Sequence, residues 1–175
     1  QLGNIGKEDF SEEAYFDVIR KKTAALFKAS SQSGAVSVGA VQEEVMKAGL
    51  LGEMIGIAFQ IKDDIFDYFE SPELGKPTGN DMLEGKLTLP ALYVLNQTGD
   101  DSLKQAALKI RSLEASKEEI ADFVETVKEK GGIEYATRMM YEFRDKALAL
   151  VPASVDSSLK EALTAYIDYV IERNK

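Results

Sequence analysis

The stretch "FQIKDDIFDY" (residues 59–68) places three aspartates, Asp63, Asp64 and Asp67, in one of the most apolar parts of the chain. The surrounding residues, from Gly49 to Phe69, otherwise have the composition of a helix that packs against other helices. Burying an unpaired carboxylate is strongly unfavourable. Three carboxylates in such a segment therefore require compensation by cations or by hydrogen-bond donors.

On a helix, Gln60 and the three aspartates fall on one arc, and Asp63 and Asp67 lie one turn apart. Carboxylates this close repel one another, and divalent cations are the natural compensation. Magnesium typically takes one or two carboxylates and completes its coordination with water and phosphate oxygens. The pattern therefore predicts an ion-bridged diphosphate, and a solvated acidic face near a helix end is the simpler alternative.

The composition excludes several other classes of function. The chain has 175 residues with 45% hydrophobic and 29% charged residues, as expected for one globular domain or part of a larger one. It contains neither histidine nor cysteine, so any metal must be held by oxygen ligands, which favours Mg²⁺, Mn²⁺ or Ca²⁺. The net charge of −9 argues against nucleic acid as a partner. The absence of cysteine is compatible with a reducing cytoplasm, the location that we expect. No apolar run approaches the roughly 20 residues needed to span a bilayer.

Helical periodicity runs through almost the whole chain and predicts an all-α helical bundle. Ser11 is the expected N-cap of a first helix, one face of which carries Tyr15, Val18, Ile19, Lys22, Ala25, Leu26 and Ala29. We expect a break at Ser30–Gly39, a long helix from about Val41 to Phe69, and a loop at Ser71–Lys86. Thr88 is the expected N-cap of the first of five later helices, which are Leu89–Asn96, Ser102–Leu113, Lys117–Lys130, Gly132–Leu150 and Ser154–Arg173.

Two further features accompany the aspartates. Gly49 and Gly56 lie on the aspartate face, where each costs about 1 kcal/mol relative to alanine; close helix–helix approach and room for a ligand are equally good explanations. Lys22 stands on the predicted apolar face of the first helix, where it either extends to the edge or meets an interior anion. Lys76 and Lys86 lie in the predicted loop, which can fold back over an ion site.

Three segments occur together in this order: "RKKTAALF", "FQIKDDIFDYFESPELGKPTGND" and "EGKLTLP". With these separations the chain resembles the C-terminal half of a trans-isoprenyl diphosphate synthase of the polyprenyl synthetase family. The resemblance implies an isoprenoid-synthase-type fold. It also implies that residues 1–175 are the C-terminal portion of a single all-α prenyltransferase domain.

The resemblance carries a function with it. Members of this family elongate an allylic diphosphate with isopentenyl diphosphate and release diphosphate, using Mg²⁺, with Mn²⁺ as an alternative ion. The implied assembly is a homodimer, and a long product could bring the enzyme into peripheral contact with a membrane.

The resemblance also assigns roles residue by residue. Asp63, Asp64 and Asp67 match the metal-binding second aspartate-rich motif, with Asp63 the strongest candidate for direct coordination. Asp81 matches an acidic loop position with a structural or ion-supporting role. The residues implied for catalysis are Lys22, Thr23 and Gln60, and those implied for diphosphate binding are Lys22, Lys76 and Lys86.

The family's first aspartate-rich motif has no counterpart in this sequence, since Asp100-Asp101 is not followed by a third aspartate at the required spacing. We therefore expect the 175-residue chain alone to be inactive in prenyl transfer. Three alternatives remain open: a terpene cyclase of the same fold, a non-catalytic subunit of a heteromeric prenyl synthase, and a helical interaction module.

Overall fold

The computed structural model describes residues 10–69 and 78–173, and all regular secondary structure in these ranges is helical. The prediction of an all-α fold is confirmed. A π-helical turn, Arg20–Ala24, joins the first two helices directly. The α-helices are α1 (Glu12–Ile19), α2 (Ala25–Ser37), α3 (Gln42–Phe66), α4 (Asn80–Leu83), α5 (Leu89–Thr98), α6 (Asp101–Arg111), α7 (Lys117–Glu129), α8 (Gly132–Ala149) and α9 (Ser157–Glu172).

The chain divides into two compact units, and α1, α3 and α8 each contribute residues to both. The described part of the first unit comprises residues 10–15, 63–69 and 78–137. That of the second comprises residues 16–62 and 138–173. The acidic end of α3 belongs to the first unit.

The first unit is built around a core in which α5, α6 and α7 pack together. Ser116 caps α7 by accepting the Glu119 amide at 3.2 Å, while the Glu119 carboxylate accepts the Ser116 amide at 2.8 Å. Tyr68 joins this core from the segment just after α3. The core side chains are Tyr68, Met82, Ala91, Val94, Leu95, Leu103, Ala107, Ile110, Ile120, Phe123, Val124 and Val127.

In the second unit, glycines let α3 approach the preceding helices closely. A Cβ atom at Gly56 would lie 2.6 Å from the Cα of Ala24, and one at Gly52 would lie 2.5 Å from the carbonyl oxygen of Phe27. A Cβ at Gly49 would meet the Gln32 side chain at 2.7 Å. Of the two explanations for Gly49 and Gly56, close helix–helix approach is therefore the one that the structure supports.

The sequence predicted one continuous apolar face from Tyr15 to Ala29, and beyond Ile19 this is wrong. The π turn is the reason, because the Ala25 amide bonds to the Arg20 carbonyl five residues earlier. The additional residue rotates the following helix by about 100°, so Ala24 becomes buried. Four residues of the predicted face are exposed: Lys22, Ala25, Leu26 and Ala29.

The predicted break at Ser30–Gly39 is also wrong over most of its length, since α2 continues to Ser37. Small polar residues alone do not end a helix in the absence of proline. The chain turns only at Gly39, whose φ of +75° suits glycine.

Other boundaries differ less. The predicted helix Val41–Phe69 is α3, which ends at Phe66, and the predicted loop Ser71–Lys86 contains the short helix α4. Thr88 occupies the N-cap position of α5, as expected, but its side chain makes no capping hydrogen bond.

At the C-terminal end, α9 begins at Ser157 rather than Ser154, because Asp156 caps it by accepting the Ser158 amide at 2.9 Å. No helix in the described part of the chain combines the length and the apolar character needed to cross a membrane.

The glycine packing gives a direct test by substitution. We expect Gly56→Ala to lower the free energy of unfolding by about 1–3 kcal/mol, because the new methyl group meets the Ala24 backbone. The matched control is Gly34→Ala in α2, where nothing lies within 4 Å of a Cβ. This control should be stabilising by about 0.5–1 kcal/mol. Urea unfolding measures both, and equal effects in the two variants would contradict the close approach.

Candidate active site

Asp64 is the buried member of the aspartate motif, with a relative exposure of 4%. The Tyr15 hydroxyl donates a hydrogen bond of 2.5 Å to Asp64 Oδ2, across 49 positions of sequence. Burial, followed by the charge of Asp64, raises the pKa of Tyr15 well above its ordinary value. The phenol therefore remains a donor at neutral pH, and it supplies part of the compensation that the buried carboxylate requires.

Asp67 contacts the main chain that follows the motif. Its Oδ1 accepts the Asn80 amide and its Oδ2 accepts the Asp81 amide, both at 3.0 Å. Its carbonyl oxygen also accepts the Gly79 amide at 2.8 Å. Asp67 is thus an external cap for the start of α4 as well as a candidate metal ligand.

Asp63 is partly exposed and lies one residue before Asp64 on α3. No group of three or more acidic residues in the described ranges is arranged closely enough to hold a metal ion by itself. One carboxylate with water and phosphate oxygens nevertheless suits Mg²⁺, which rarely uses an all-protein cage. The donor set at the end of α3 therefore fits an ion shared with a diphosphate.

Three residues after the end of α4, the chain carries a lysine, Lys86. Lys86 Nζ bonds to Glu84 Oε2 and lies 3.7 Å from Asp81 Oδ1. The hydrogen bond that Lys86 donates to Glu84, together with the charges of both acids, raises the pKa of Lys86. Of the other basic residues predicted to bind diphosphate, Lys76 lies outside the described residues.

In the second unit the structure brings together Thr23 and Gln60, which the sequence analysis paired as catalytic candidates. The Thr23 hydroxyl donates to Gln60 Oε1 at 2.6 Å. Thr23 lies within the π turn, so the irregular turn that shifts the phase of the helix also determines where this hydroxyl lies. π turns occur preferentially at functional sites.

Lys22 precedes Thr23 in the π turn and is exposed. Its neighbour Lys21 pairs with Asp17 at 2.5 Å, one turn earlier. Lys22, by contrast, forms no ion pair with another residue of the described ranges. Lys22 is therefore the better placed of the two adjacent lysines to meet an external anion.

Sequence reasoning missed the function of Tyr15, which it assigned only to the apolar face of the first helix. A tyrosine on an apolar face fills the core with its ring and brings a hydroxyl that needs a partner when buried. The signal available in the sequence was an aspartate, Asp64, in a segment predicted to be buried, since such a carboxylate needs a hydrogen-bond donor. The pairing could not be read from the sequence, because 49 positions separate the two residues.

The family assignment rests on a match to the polyprenyl synthetase family over residues 1–127. The chain belongs to this family. Its helical fold corresponds to that of trans-prenyltransferases of known structure. The isoprenoid-synthase-type fold expected from the sequence is confirmed.

Individual relatives agree with the family. Geranylgeranyl pyrophosphate synthase from Bacteroides thetaiotaomicron is 57% identical, with a TM-score of 0.92 over 99% of this chain and 57% of that one. A short chain isoprenyl diphosphate synthase from Methanothermobacter thermautotrophicus is 34% identical over 98% of this chain and 53% of its own length.

A third relative was solved with ligands. Polyprenyl synthase from Caulobacter crescentus CB15, in complex with calcium and isoprenyl diphosphate, is 30% identical, with a TM-score of 0.82. The match covers 98% of this chain and 53% of that protein. The chain thus spans little more than half the length of the relatives it matches.

The Tyr15–Asp64 contact predicts both a stability loss and a change in pH dependence. Tyr15→Phe should lower the free energy of unfolding at pH 7 by about 1–3 kcal/mol, because buried Asp64 loses a donor. Since the pKa of Tyr15 is raised in the folded state, its contribution is complete below about pH 10 and is lost as the pH rises further.

The variant should therefore lose less stability than the wild type between about pH 10 and pH 12. Urea unfolding at several pH values measures this difference. Tyr166→Phe, at an exposed position of α9, is the control and should match the wild type throughout. Identical alkaline slopes for wild type and Tyr15→Phe would show that the hydrogen bond does not contribute as described.

Proposed function

We propose that the protein containing this chain is a prenyltransferase that elongates an allylic diphosphate with isopentenyl diphosphate. The carbon–oxygen bond of the allylic diphosphate breaks, and diphosphate leaves with the electron pair. The double bond of isopentenyl diphosphate attacks the allylic carbon and forms the new carbon–carbon bond. Loss of a proton, taken up by the departing diphosphate, regenerates a double bond in the elongated product.

The observation that carries this proposal is the acidic end of α3 in a chain of the polyprenyl synthetase family. Asp63 is our candidate for direct contact with a divalent ion, Mg²⁺ or Mn²⁺, while Asp64 and Asp67 complete the motif. A bound ion would neutralise negative charge that develops on the leaving diphosphate. The relative solved with calcium and isoprenyl diphosphate supports an ion and a diphosphate as the ligands.

Basic side chains would contact the diphosphate directly, in addition to the ion. We assign this role to Lys22, Lys76 and Lys86. The exposure of Lys22 supports its role, because an exposed lysine can reach an external anion. The 3.7 Å separation of Lys86 Nζ from Asp81 Oδ1 supports the role of Lys86, since the Asp81 amide also bonds to Asp67 at the end of the motif. Lys76 retains this role as a prediction from the family resemblance.

Thr23 and Gln60 would act beside the allylic carbon as positive charge develops there. Their hydrogen bond supports this role, since it fixes the orientation of two oxygen dipoles before the reaction begins. Fixed dipoles stabilise a developing charge without reorganisation at the moment of reaction. An apolar surrounding that excludes water would protect the cation from hydrolysis.

Because the chain spans little more than half of its relatives, we propose that these residues form one portion of a larger prenyltransferase domain. The first aspartate-rich motif would come from a segment beyond these 175 residues. A homodimer and a peripheral membrane contact through a long product are further parts of the proposal. The intact second motif favours elongation over cyclisation or a non-catalytic subunit.

A prenyl-transfer assay tests the function. The natural polypeptide that contains these residues should elongate an allylic diphosphate in the presence of isopentenyl diphosphate and Mg²⁺. Asp63→Asn should lower kcat by at least about a hundredfold. Chelation of the ion should abolish activity reversibly. The exposed Asp122→Asn on α7 is the control and should be fully active. Normal elongation by Asp63→Asn would refute the assigned role of Asp63.

The Thr23–Gln60 pair can be tested with two substitutions at one position. Thr23→Val removes the hydroxyl and should lower kcat by about a hundredfold. Thr23→Ser keeps the hydroxyl and should retain most of the activity. Circular dichroism should show equal helix content in both variants. If Thr23→Val were as active as Thr23→Ser, the dipole would have no part in the reaction.

A further inference from the structure

We infer that Asp67 is a positioning residue, which acts through the main chain of Asp81 on Lys86. This inference rests on the proposed function, in which Lys86 contacts the substrate diphosphate. It assigns the third aspartate of the motif a task different from that of Asp63. It replaces the expectation that all three carboxylates share the ion.

The first step is the attachment of α4 to Asp67. Both carboxylate oxygens accept a main-chain amide, from Asn80 and Asp81, each at 3.0 Å. The Asp67 carbonyl accepts a third amide, that of Gly79, at 2.8 Å. Three hydrogen bonds accepted by one residue thus fix the position of the main chain at residues 79–81.

Gly79 permits this arrangement. Its φ is +77°, a conformation that residues with a side chain rarely adopt. A Cβ atom there would lie 2.7 Å from Ile120 Cγ2 in α7. The contact with Asp67 is therefore formed where the chain is also constrained by the packing of α7.

The second step leads from Asp81 to Lys86. The Asp81 carbonyl accepts the Lys86 amide at 2.8 Å, which fixes the main chain at the lysine. The Asp81 carboxylate also lies 3.7 Å from Lys86 Nζ. Asp81 thus donates a hydrogen bond to Asp67 through its amide and accepts one from the Lys86 amide through its carbonyl oxygen.

A carboxylate is the group that this arrangement requires. Two N–H donors meet two oxygens, and an asparagine amide would place its own donor against one of them. Asp67→Asn therefore breaks one hydrogen bond and introduces a repulsive contact, while it changes the side-chain volume very little. An ion ligand would respond differently, because its loss is felt only when the ion is present.

The experiment uses the natural polypeptide and four variants: Asp67→Asn, Lys86→Gln, the double variant, and Asp100→Asn. The last is a matched control, since Asp100 Oδ1 accepts the amides of Ser102 and Leu103 at the start of α6 at 3.0 and 3.3 Å. It makes the same substitution in the same unit at a cap that uses a single carboxylate oxygen, which asparagine retains, and it does not touch Lys86.

Three quantities are measured: hydrogen exchange of the amides at residues 80–81 without metal, affinity for inorganic diphosphate at saturating Mg²⁺, and the Mg²⁺ concentration required for half-maximal diphosphate binding. We expect Asp67→Asn to accelerate exchange at 80–81 about tenfold or more and to weaken diphosphate binding by about as much as Lys86→Gln. The double variant should bind no more weakly than either single variant. The Mg²⁺ requirement should be unchanged.

Asp100→Asn should leave both the hydrogen exchange of the α6 amides and the diphosphate affinity intact. A raised Mg²⁺ requirement in Asp67→Asn, with unaltered exchange at 80–81, would show that Asp67 is an ion ligand and would overturn the inference. If Asp67→Asn does not fold, hydrogen exchange of the wild-type protein distinguishes the two roles of Asp67. Amides at 80–81 that are protected before Mg²⁺ is added support the inference, and protection that appears only with Mg²⁺ contradicts it.

The same variants separate this inference from the proposed function. Unaltered exchange in Asp67→Asn, with weakened diphosphate binding in Lys86→Gln, would refute the inference and leave the proposed function in place. Normal diphosphate binding by Lys86→Gln would refute both the inference and the proposed role of Lys86. Loss of diphosphate binding in Asp63→Asn would then still support the remainder of the site.

Discussion

The burial of a carboxylate at the end of an apolar helix is the constraint on which the first unit depends. Asp64 is nearly inaccessible, and a buried charge without partners would be strongly destabilising. Tyr15 meets this requirement from α1, while Tyr68, four residues further along, enters the core with its hydroxyl 3.5 Å from Thr88 Oγ1. The turn from Asp64 to Tyr68 thus contacts two other segments of the unit, at Tyr15 and at Thr88.

We therefore propose two functions for the motif, which a pattern of identical aspartates does not distinguish. Asp64 accepts a hydrogen bond from Tyr15, and Asp67 accepts the amides of Asn80 and Asp81. Asp63 is partly exposed and is the carboxylate that we assign to an ion. Hydrogen bonds that hold the neighbouring residues would keep Asp63 in place before substrate binds, which reduces the reorganisation required during catalysis.

Much of the fold could be predicted from the sequence, because apolar periodicity and caps such as Ser116 are local signals. The π turn could not be predicted, since one additional residue leaves the helix propensities of the sequence unchanged and alters only which side chains share a face. That change moved Lys22 from an expected buried face to an exposed one. Within the site, the family resemblance named Thr23 and Gln60 as candidates, whereas their hydrogen bond and the partner of Asp64 required the tertiary structure.

The central claim is that Asp63 binds the ion while Asp64 stays hydrogen-bonded to Tyr15. A crystal structure of the natural polypeptide with Mg²⁺ and inorganic diphosphate tests this claim most directly. The account predicts an Asp63 oxygen about 2.1 Å from Mg²⁺, with the Tyr15–Asp64 hydrogen bond intact. An ion coordinated by Asp64 or Asp67 instead, with their present hydrogen bonds broken, would contradict it.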